Sequence, residues 1–407
     1  MQFPDGFLWG AATASHQVEG NNRWNDWWEY EQKGRLPYRS GDACRQFELY
    51  EADFELARSW GHTAHRFSIE WSRIEPVQGQ WNHAAIEHYI ALIDALRRRD
   101  IEPILTLHHF TNPAWFTQQG GWYSADAVML FQRYVEFVAA RLGSRVRFWL
   151  TINEPTVYVK RAFVAGDWPP CEARSWYHAC LSLRNLCRAH VAAFTVLHRH
   201  RPDAMVGFAH SAPYVVPCDP RRLRDVWSAK LRDLVLNSLC FRLLGRSPRR
   251  VLDFLGVNYY TRQIVRSQSS GVGLIFGTEC KDSHHERPRN FSSLGWEIYP
   301  PGLTGILRRL SRYGVPLIVT ENGISTVDEL QREAFLVDHI RALAAAIQEG
   351  IDVRGYLYWA LYDNFEWTEG FNAHFGLAAV DHATQQRLPR PAGERFASIC
   401  RSDAIAL

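Results

Sequence analysis

Eight short apolar runs recur along the whole chain, each followed by a longer stretch with helical spacing. No other feature constrains the fold as much. The runs are 8–12, 62–69, 103–108, 147–152, 205–209, 253–258, 316–320 and 355–359. Most are near-continuously apolar rather than alternating, which predicts parallel strands covered on both faces. Between them, Val128, Phe131, Val135, Val138 and Leu142 step by three and four residues, and Phe47, Tyr50, Phe54 and Ala57 do the same. Leu330, Ala334, Val337, Ile340, Ala344 and Ile347 form a third such series. Ser124 and Asp126 predict where the first of these helices starts, and Gly143 where it ends.

Strands alternating with helices imply parallel pairing, and eight such units in 407 residues average about 51 residues each. The expectation is an α/β fold: a single (β/α)8 TIM barrel spanning residues 1–407 as one catalytic domain, with its chemistry at the C-terminal ends of the strands. A division by ~150 residues would give two or three domains, but no internal boundary is visible. The rival, a doubly wound open sheet, needs two halves and a nucleotide-type crevice. Gly271, Gly273 and Gly277 lack the spacing of a dinucleotide turn. The one composition shift, 267–290, reads as a long polar loop after the sixth strand, with His284 and His285 on its solvated surface.

Composition narrows the function. The chain is 46% hydrophobic and 22% charged, which suits a globular body with a large core and excludes a disordered one. Its net charge of +3 is too balanced for a general nucleic-acid binder. No run of ~18 apolar residues could span a membrane. Residues 1–10 show neither a basic nor an apolar segment of a secretory signal. A cytoplasmic protein with no nucleic-acid and no membrane partner is therefore expected. The 8 Cys show no C-x-x-C and no metal-ligand spacing, and read most simply as small buried or partly buried thiols, with a disulfide among them as the alternative. No metal and no cofactor motif is present. The 16 Trp, 16 Tyr and 22 Phe are more flat amphipathic surface than a core of this size needs.

Polar residues stand at the strand ends, as a barrel enzyme requires. His16, Gln17 and Glu19 follow the first strand, and Arg66 and Glu70 lie on or after the second. His108 and His109 end the third, and Asn153, Glu154 and Pro155 the fourth. Asn258, Tyr259 and Tyr260 end the sixth, Glu321 and Asn322 the seventh, and Trp359 the eighth, followed by Asp363 through Trp367. Glu154 and Glu321 each come directly after a buried strand. Alone, either reads as a helix cap or an Arg partner; opposed across a barrel mouth, they could flank one glycosidic bond. One carboxyl must protonate the departing oxygen while the other meets an oxocarbenium-like carbon.

Four motifs carry a resemblance. The stretch Phe7-Leu-Trp-Gly-Ala-Ala-Thr-Ala-Ser-His-Gln-Val-Glu-Gly20, the stretch Thr151-Ile-Asn-Glu-Pro155, the stretch Ile318-Val-Thr-Glu-Asn-Gly323 and the stretch Trp359-Ala-Leu-Tyr-Asp-Asn-Phe-Glu-Trp367 follow one another in a fixed order. Together they resemble glycoside hydrolase family 1, the retaining β-glucosidases, over nearly the whole chain. The resemblance implies Glu321 as nucleophile and Glu154 as acid and then base. It implies Arg66 and Tyr260 as the groups that hold the nucleophile, although alone they read as a structural ion pair and a buried tyrosine. Asn153 is implied as donor to the sugar 2-hydroxyl. Gln17, His109, Glu366 and Trp367 are implied as the remaining hydroxyl binders, Trp359 as the stacking floor and Trp296 as a platform beside the leaving group. His108 reads as core, and Trp168 is left unassigned.

Retention further requires the carboxyls to lie ~5–5.5 Å apart and to titrate apart. The chain also departs from the family pattern. After His109 stand Phe110-Thr111-Asn112-Pro113 where many members have Trp-Asp-Leu-Pro, so an indole donor is lost. Glu366 is retained, and a carboxylate there would repel a 6-phosphate, which points to unphosphorylated glycosides. The implied activity is a cofactor-free retaining β-glycosidase on terminal β-D-glucosyl, and also β-D-galactosyl or fucosyl, residues of small β-glycosides or oligosaccharides. The alternatives are a transglycosylating member that uses a sugar acceptor and a non-catalytic sugar-binding relative. The latter normally lacks one of the two glutamates.

Overall fold

The computed structural model describes residues 1–269, 275–280 and 290–406. Eight parallel strands close into a barrel: β1 (Leu8–Ala12), β2 (Ala64–Ser68), β3 (Glu102–Thr106), β4 (Phe148–Asn153), β5 (Met205–Ser211), β6 (Leu255–Asn258), β7 (Leu317–Asn322) and β8 (Val353–Trp359). Each strand pairs with its neighbours in sequence, and β1 pairs with β8 to complete the ring. All eight predicted runs are strands, shifted by a few residues at their ends.

The apolar runs are explained by two-sided burial. Toward the axis, Ala64, Ile104, Leu150, Ala209, Phe254, Ile318 and Leu357 meet in one small cluster that plugs the barrel. Outward-facing residues such as Phe67, Leu105, Val206, Val257 and Val319 join a far larger cluster with the helices. Because side chains alternate along a strand, Arg66 shares the inward face of Ala64, one layer higher. Two strands break this alternation. Register shifts fall between Leu150 and Asn153 on β4 and between Val319 and Glu321 on β7. Such irregularities re-aim side chains next to active sites, and here they sit just before the two glutamates singled out above.

The helical readings hold with two corrections. Helices span Gln46–Ser59, Ala127–Leu142 and Glu329–Gln348. In the last, Leu330 is 81% exposed and Ala334 is exposed as well, while Arg332, Phe335 and His339 turn inward. The buried face at this end is set by Arg332, whose Nη1 donates to the carbonyl oxygens of His374 at 2.8 Å and Ile324 at 3.3 Å. Gly143 caps its helix without entering the left-handed region, at φ −54.

The segment after β6 is more than a loop. Arg262–Arg266 pairs with Tyr214–Pro217 and with Thr278–Glu279 in a three-stranded sheet, while His284 and His285, like Gly271 and Gly273, lie outside the described residues. This sheet brings Cys218 and Cys280 together in a disulfide, Cα–Cα 6.0 Å, correcting the reading of all eight cysteines as thiols. Residues 62 apart in sequence gave no local sign of that pairing.

Strand packing at the base leaves no room for side chains at certain positions. A Cβ added to Gly10 on β1 would lie 1.8 Å from the Ala64 carbonyl oxygen of β2. We expect Gly10→Ala to cost about 3 kcal/mol or more, measured as a shift in the denaturation midpoint. An unchanged midpoint would contradict this close approach of β1 and β2.

Candidate active site

The mouth of the barrel is organised around one buried cation. Arg66 rises from β2 with no solvent exposure. Its Nη1 donates to Glu321 Oε1 at 2.6 Å and its Nη2 to Asn153 Oδ1 at 2.7 Å. Its Nε donates to Thr106 Oγ1 at 3.1 Å on β3. The other carboxylate oxygen of Glu321 accepts from the Tyr260 hydroxyl at 2.6 Å. Glu321, at the end of β7, is thus held by a cation and a phenol from opposite sides, and both donors favour negative charge there.

Glu154 has a different environment. It lies past the end of β4 in the left-handed region, φ 43, with Pro155 opening the helix that follows. Phe110 and Trp367, which also face this mouth, have positive φ of 71 and 51. A non-glycine residue there is held against its local preference by its surroundings. Burial first, and then the charge of Glu321, push the Glu154 carboxyl up to about 8. Asn258 works in the opposite direction: its Nδ2 donates to Glu154 Oε1 at 2.9 Å and to Asn153 Oδ1 at 3.1 Å. Thr320 Oγ1 fixes that amide by donating to Asn258 Oδ1 at 2.7 Å. The two glutamates are therefore joined by an unbroken chain, Glu321–Arg66–Asn153–Asn258–Glu154. Neither the strand-end pattern nor the family resemblance assigns Asn258 a role; its polar side chain on a buried strand, two residues before Tyr260, is the available signal.

The rest of the mouth is a wall of flat rings. Trp359, His109, Trp367 and His16 lie nearly parallel in sequence: 5.7 Å and 15° between the first two, 6.2 Å and 14° between the next, 5.9 Å and 13° between the last. Asn153 Oδ1 is already committed to two donors, so Asn153 Nδ2 donates to His109 Nε2 at 3.3 Å. Burial and the nearby Arg66 charge hold His109 well below the usual histidine range, so it is neutral. His16 is fixed by Glu31 and by Asn25, each at 2.9 Å. Gln17 Nε2 donates to Glu366 Oε2 and to Asn364 Oδ1, both at 3.0 Å. Burial, with the charge of Glu321 second, pushes Glu366 up to about 8.

Every predicted site residue thus comes to this mouth. Trp296 sits at its rim, 37% exposed, with its ring 5.4 Å from Tyr260. Phe110 packs against Trp168 at 4.8 Å and Trp367 at 5.4 Å, and Trp27 supports Trp367 from behind at 4.7 Å. Other strand-end residues are structural. Glu70 accepts from the hydroxyls of Ser15, Ser72 and Thr111; Glu19 binds Arg73 and Tyr89; His108 pairs with Asn112 at 3.0 Å. Among the described residues no group of three or more His, Cys, Asp or Glu could hold a metal ion.

The Asn258 amide favours the charged form of Glu154, so its loss must raise the carboxyl further. In a carbon-detected NMR titration, Glu154 should titrate near 8 in the native protein, and at a higher pH in Asn258→Ala. A downward shift would show that the amide is not its partner.

Comparison with known proteins follows the same lines. The sequence model described as Glycosyl hydrolase family 1 matches residues 1–246 and 242–404. A β-galactosidase from Pyrococcus woesei is 30% identical over 98% of this chain and 96% of its own. β-Glucosidase A from Thermotoga maritima is 30% identical over 99% of each. Among solved structures, a β-glycosidase from Pyrococcus horikoshii superposes with a TM-score of 0.92 at 41% identity, covering 100% of this chain and 96% of that one.

Proposed function

The chain belongs to glycosyl hydrolase family 1, and on that premise we propose that it is a retaining β-glycosidase acting by double displacement, with residues 1–407 as one catalytic domain. It is a β-glucosidase-type hydrolase of O-glycosyl bonds. Glu321 attacks the anomeric carbon and forms a glycosyl-enzyme. Glu154 first protonates the leaving oxygen, then removes a proton from the water that releases the sugar. The observation that carries this reading is the unlike treatment of two neighbouring carboxyls. One is held by Arg66 and Tyr260; the other is buried and pushed up to about 8, so that it keeps its proton at neutral pH. That division is what an acid and a nucleophile need side by side.

The sugar lies on Trp359 and is read by Gln17, His109, Asn153, Glu366 and Trp367. Gln17 Oε1 and His109 Nδ1 are buried and have no protein partner among the described residues, so each can meet a hydroxyl. Phe110 supplies an apolar surface in place of an indole donor and relaxes selection at that hydroxyl. Glucosides, galactosides and fucosides are all accepted, and the similarity to both a β-glucosidase and a β-galactosidase supports that breadth. Trp296 borders the leaving group. The reaction uses no cofactor, and the protein works in the cytoplasm; one relative is a cytosolic β-glucosidase.

Glu321→Gly should lower hydrolysis of an aryl β-glucoside on the order of 10⁴-fold, and added azide should restore turnover with an inverted glycosyl azide as product. Restored product of retained configuration would exclude Glu321 as nucleophile. In Glu154→Ala, substrates with poor leaving groups should lose far more than dinitrophenyl glycosides; equal losses would remove its role as acid. The native enzyme should lose kcat/KM as pH rises through about 8, where Glu154 gives up its proton. A profile flat to pH 9 would contradict that assignment.

A further inference from the structure

The whole-chain charge of +3 conceals an uneven distribution. Residues 221–250 contain nine Lys and Arg against two Asp. The helix Leu223–Asn237 presents part of this segment on the outer wall of the barrel. Leu223 and Trp227, one turn apart, are 74% and 62% exposed, and Arg221, Arg222 and Arg224 beside them are exposed as well. The Lys230 ammonium lies over the Trp227 ring, 5.5 Å from its centroid.

Next to this turn is a groove of about 430 Å³, bounded by the same helix, the helix Leu239–Leu243 and the end of the helix Pro300–Leu310. Lys230, Arg242, Arg309 and Arg312 line it, with Asp233 as its one carboxylate. Asp233 is taken by Arg309, and among the described residues Arg312 donates only to the hydroxyls of Ser238 and Tyr313. Neither Lys230 nor Arg242 has a carboxylate partner within 4 Å among the described residues. The stacked rings of Phe241 and Tyr313, centroids 4.0 Å apart, form an apolar wall. Arg309 and Arg312 stand just before β7 begins, at the rim of the barrel opposite the catalytic mouth.

We propose that this face docks on an anionic phospholipid surface, with headgroup phosphates in the groove and Leu223 and Trp227 in the interfacial layer. Cations beside an exposed Leu and Trp on one helix offer headgroup phosphates charge partners and the interfacial layer two apolar anchors. A nucleic acid would engage the cations but gain nothing from Leu223, and a soluble phosphate would fill the groove without using either apolar residue. No helix among the described residues is long and apolar enough to cross a membrane. Such a contact is peripheral. It also departs from the expectation of no membrane partner, which rested on averaged charge and on the lack of a spanning segment.

The test is co-sedimentation of the full chain with phosphatidylcholine vesicles, with and without phosphatidylserine. Binding should require the anionic lipid and weaken as salt is raised. Each basic residue at such a surface contributes roughly fivefold, so Lys230→Glu with Arg242→Glu should weaken binding more than tenfold. Leu223→Ser with Trp227→Ser should weaken it severalfold, and both variants should hydrolyse an aryl glucoside normally, showing that they fold. Equal binding to both vesicle types, or variants that bind like the native chain, would overturn the proposal. So would variants that lose binding to duplex DNA while the native chain ignores vesicles.

Discussion

Everything at the catalytic mouth depends on the burial of Arg66. A guanidinium with no solvent exposure must replace its lost hydration with protein acceptors, or the barrel would not tolerate it. Glu321, Asn153, Thr106 and the Thr320 carbonyl oxygen supply them, and they come from β7, β4, β3 and β7 again. The cation therefore ties strands on different sides of the ring to one point. Removing one partner of such a buried pair typically costs about 3–5 kcal/mol, so the geometry of the site and the stability of this layer cannot be varied separately.

The same interior bears on the strain found at the mouth. Below Arg66 the axial side chains are mostly small and aliphatic, with Phe254 among them, and β2 pairs with β3 in even register, while β7 already shifts against β8 between Leu317 and Val319. Above it, β4 and β7 shift register and Glu154, Phe110 and Trp367 take positive φ. Local conformations of that kind persist only where the surroundings over-determine them. Here the constraint is the chain of hydrogen bonds from Thr320 through Asn258 to Glu154, together with the parallel rings of Trp359, His109, Trp367 and His16.

That contrast also marks how far the amino-acid sequence could be read. The eight strands were legible because two-sided burial writes a continuous apolar run, a signal that local composition carries. Glu154 and Glu321 were legible because each follows such a run directly. The pairing of Cys218 with Cys280 was not, since it depends on a small sheet formed by segments far apart. The inward turn of Arg332 and the exposure of Leu330 escaped because helical periodicity counts apolar residues, whereas the carbonyl oxygens of Ile324 and His374 demanded a cation. The role of Asn258 escaped because an amide at a strand end has no distinguishing pattern until its two neighbours are known. Part of the surplus of Trp is accounted for by Trp27, which backs Trp367, whereas Trp24 is 42% exposed.

The proton inventory of the mouth links recognition to chemistry. Glu154 and Glu366 are both raised to about 8, and in each the charge of Glu321 is the second cause after burial. Both are therefore biased toward the protonated form at neutral pH, which weakens the repulsion that an ionised Glu366 would exert on a 6-phosphate. A sugar that offers two hydroxyl donors to Glu366 favours its ionised form. The charge so created acts on Glu154, whose carboxyl is itself raised by Glu366. On the proposed roles, a glycone that engages Glu366 would raise Glu154 further, the residue assigned to donate the proton. In that assignment a ligand that fails to engage Glu366 would lack this added push, so recognition of the sugar and the protonation of Glu154 are linked through one electrostatic contact.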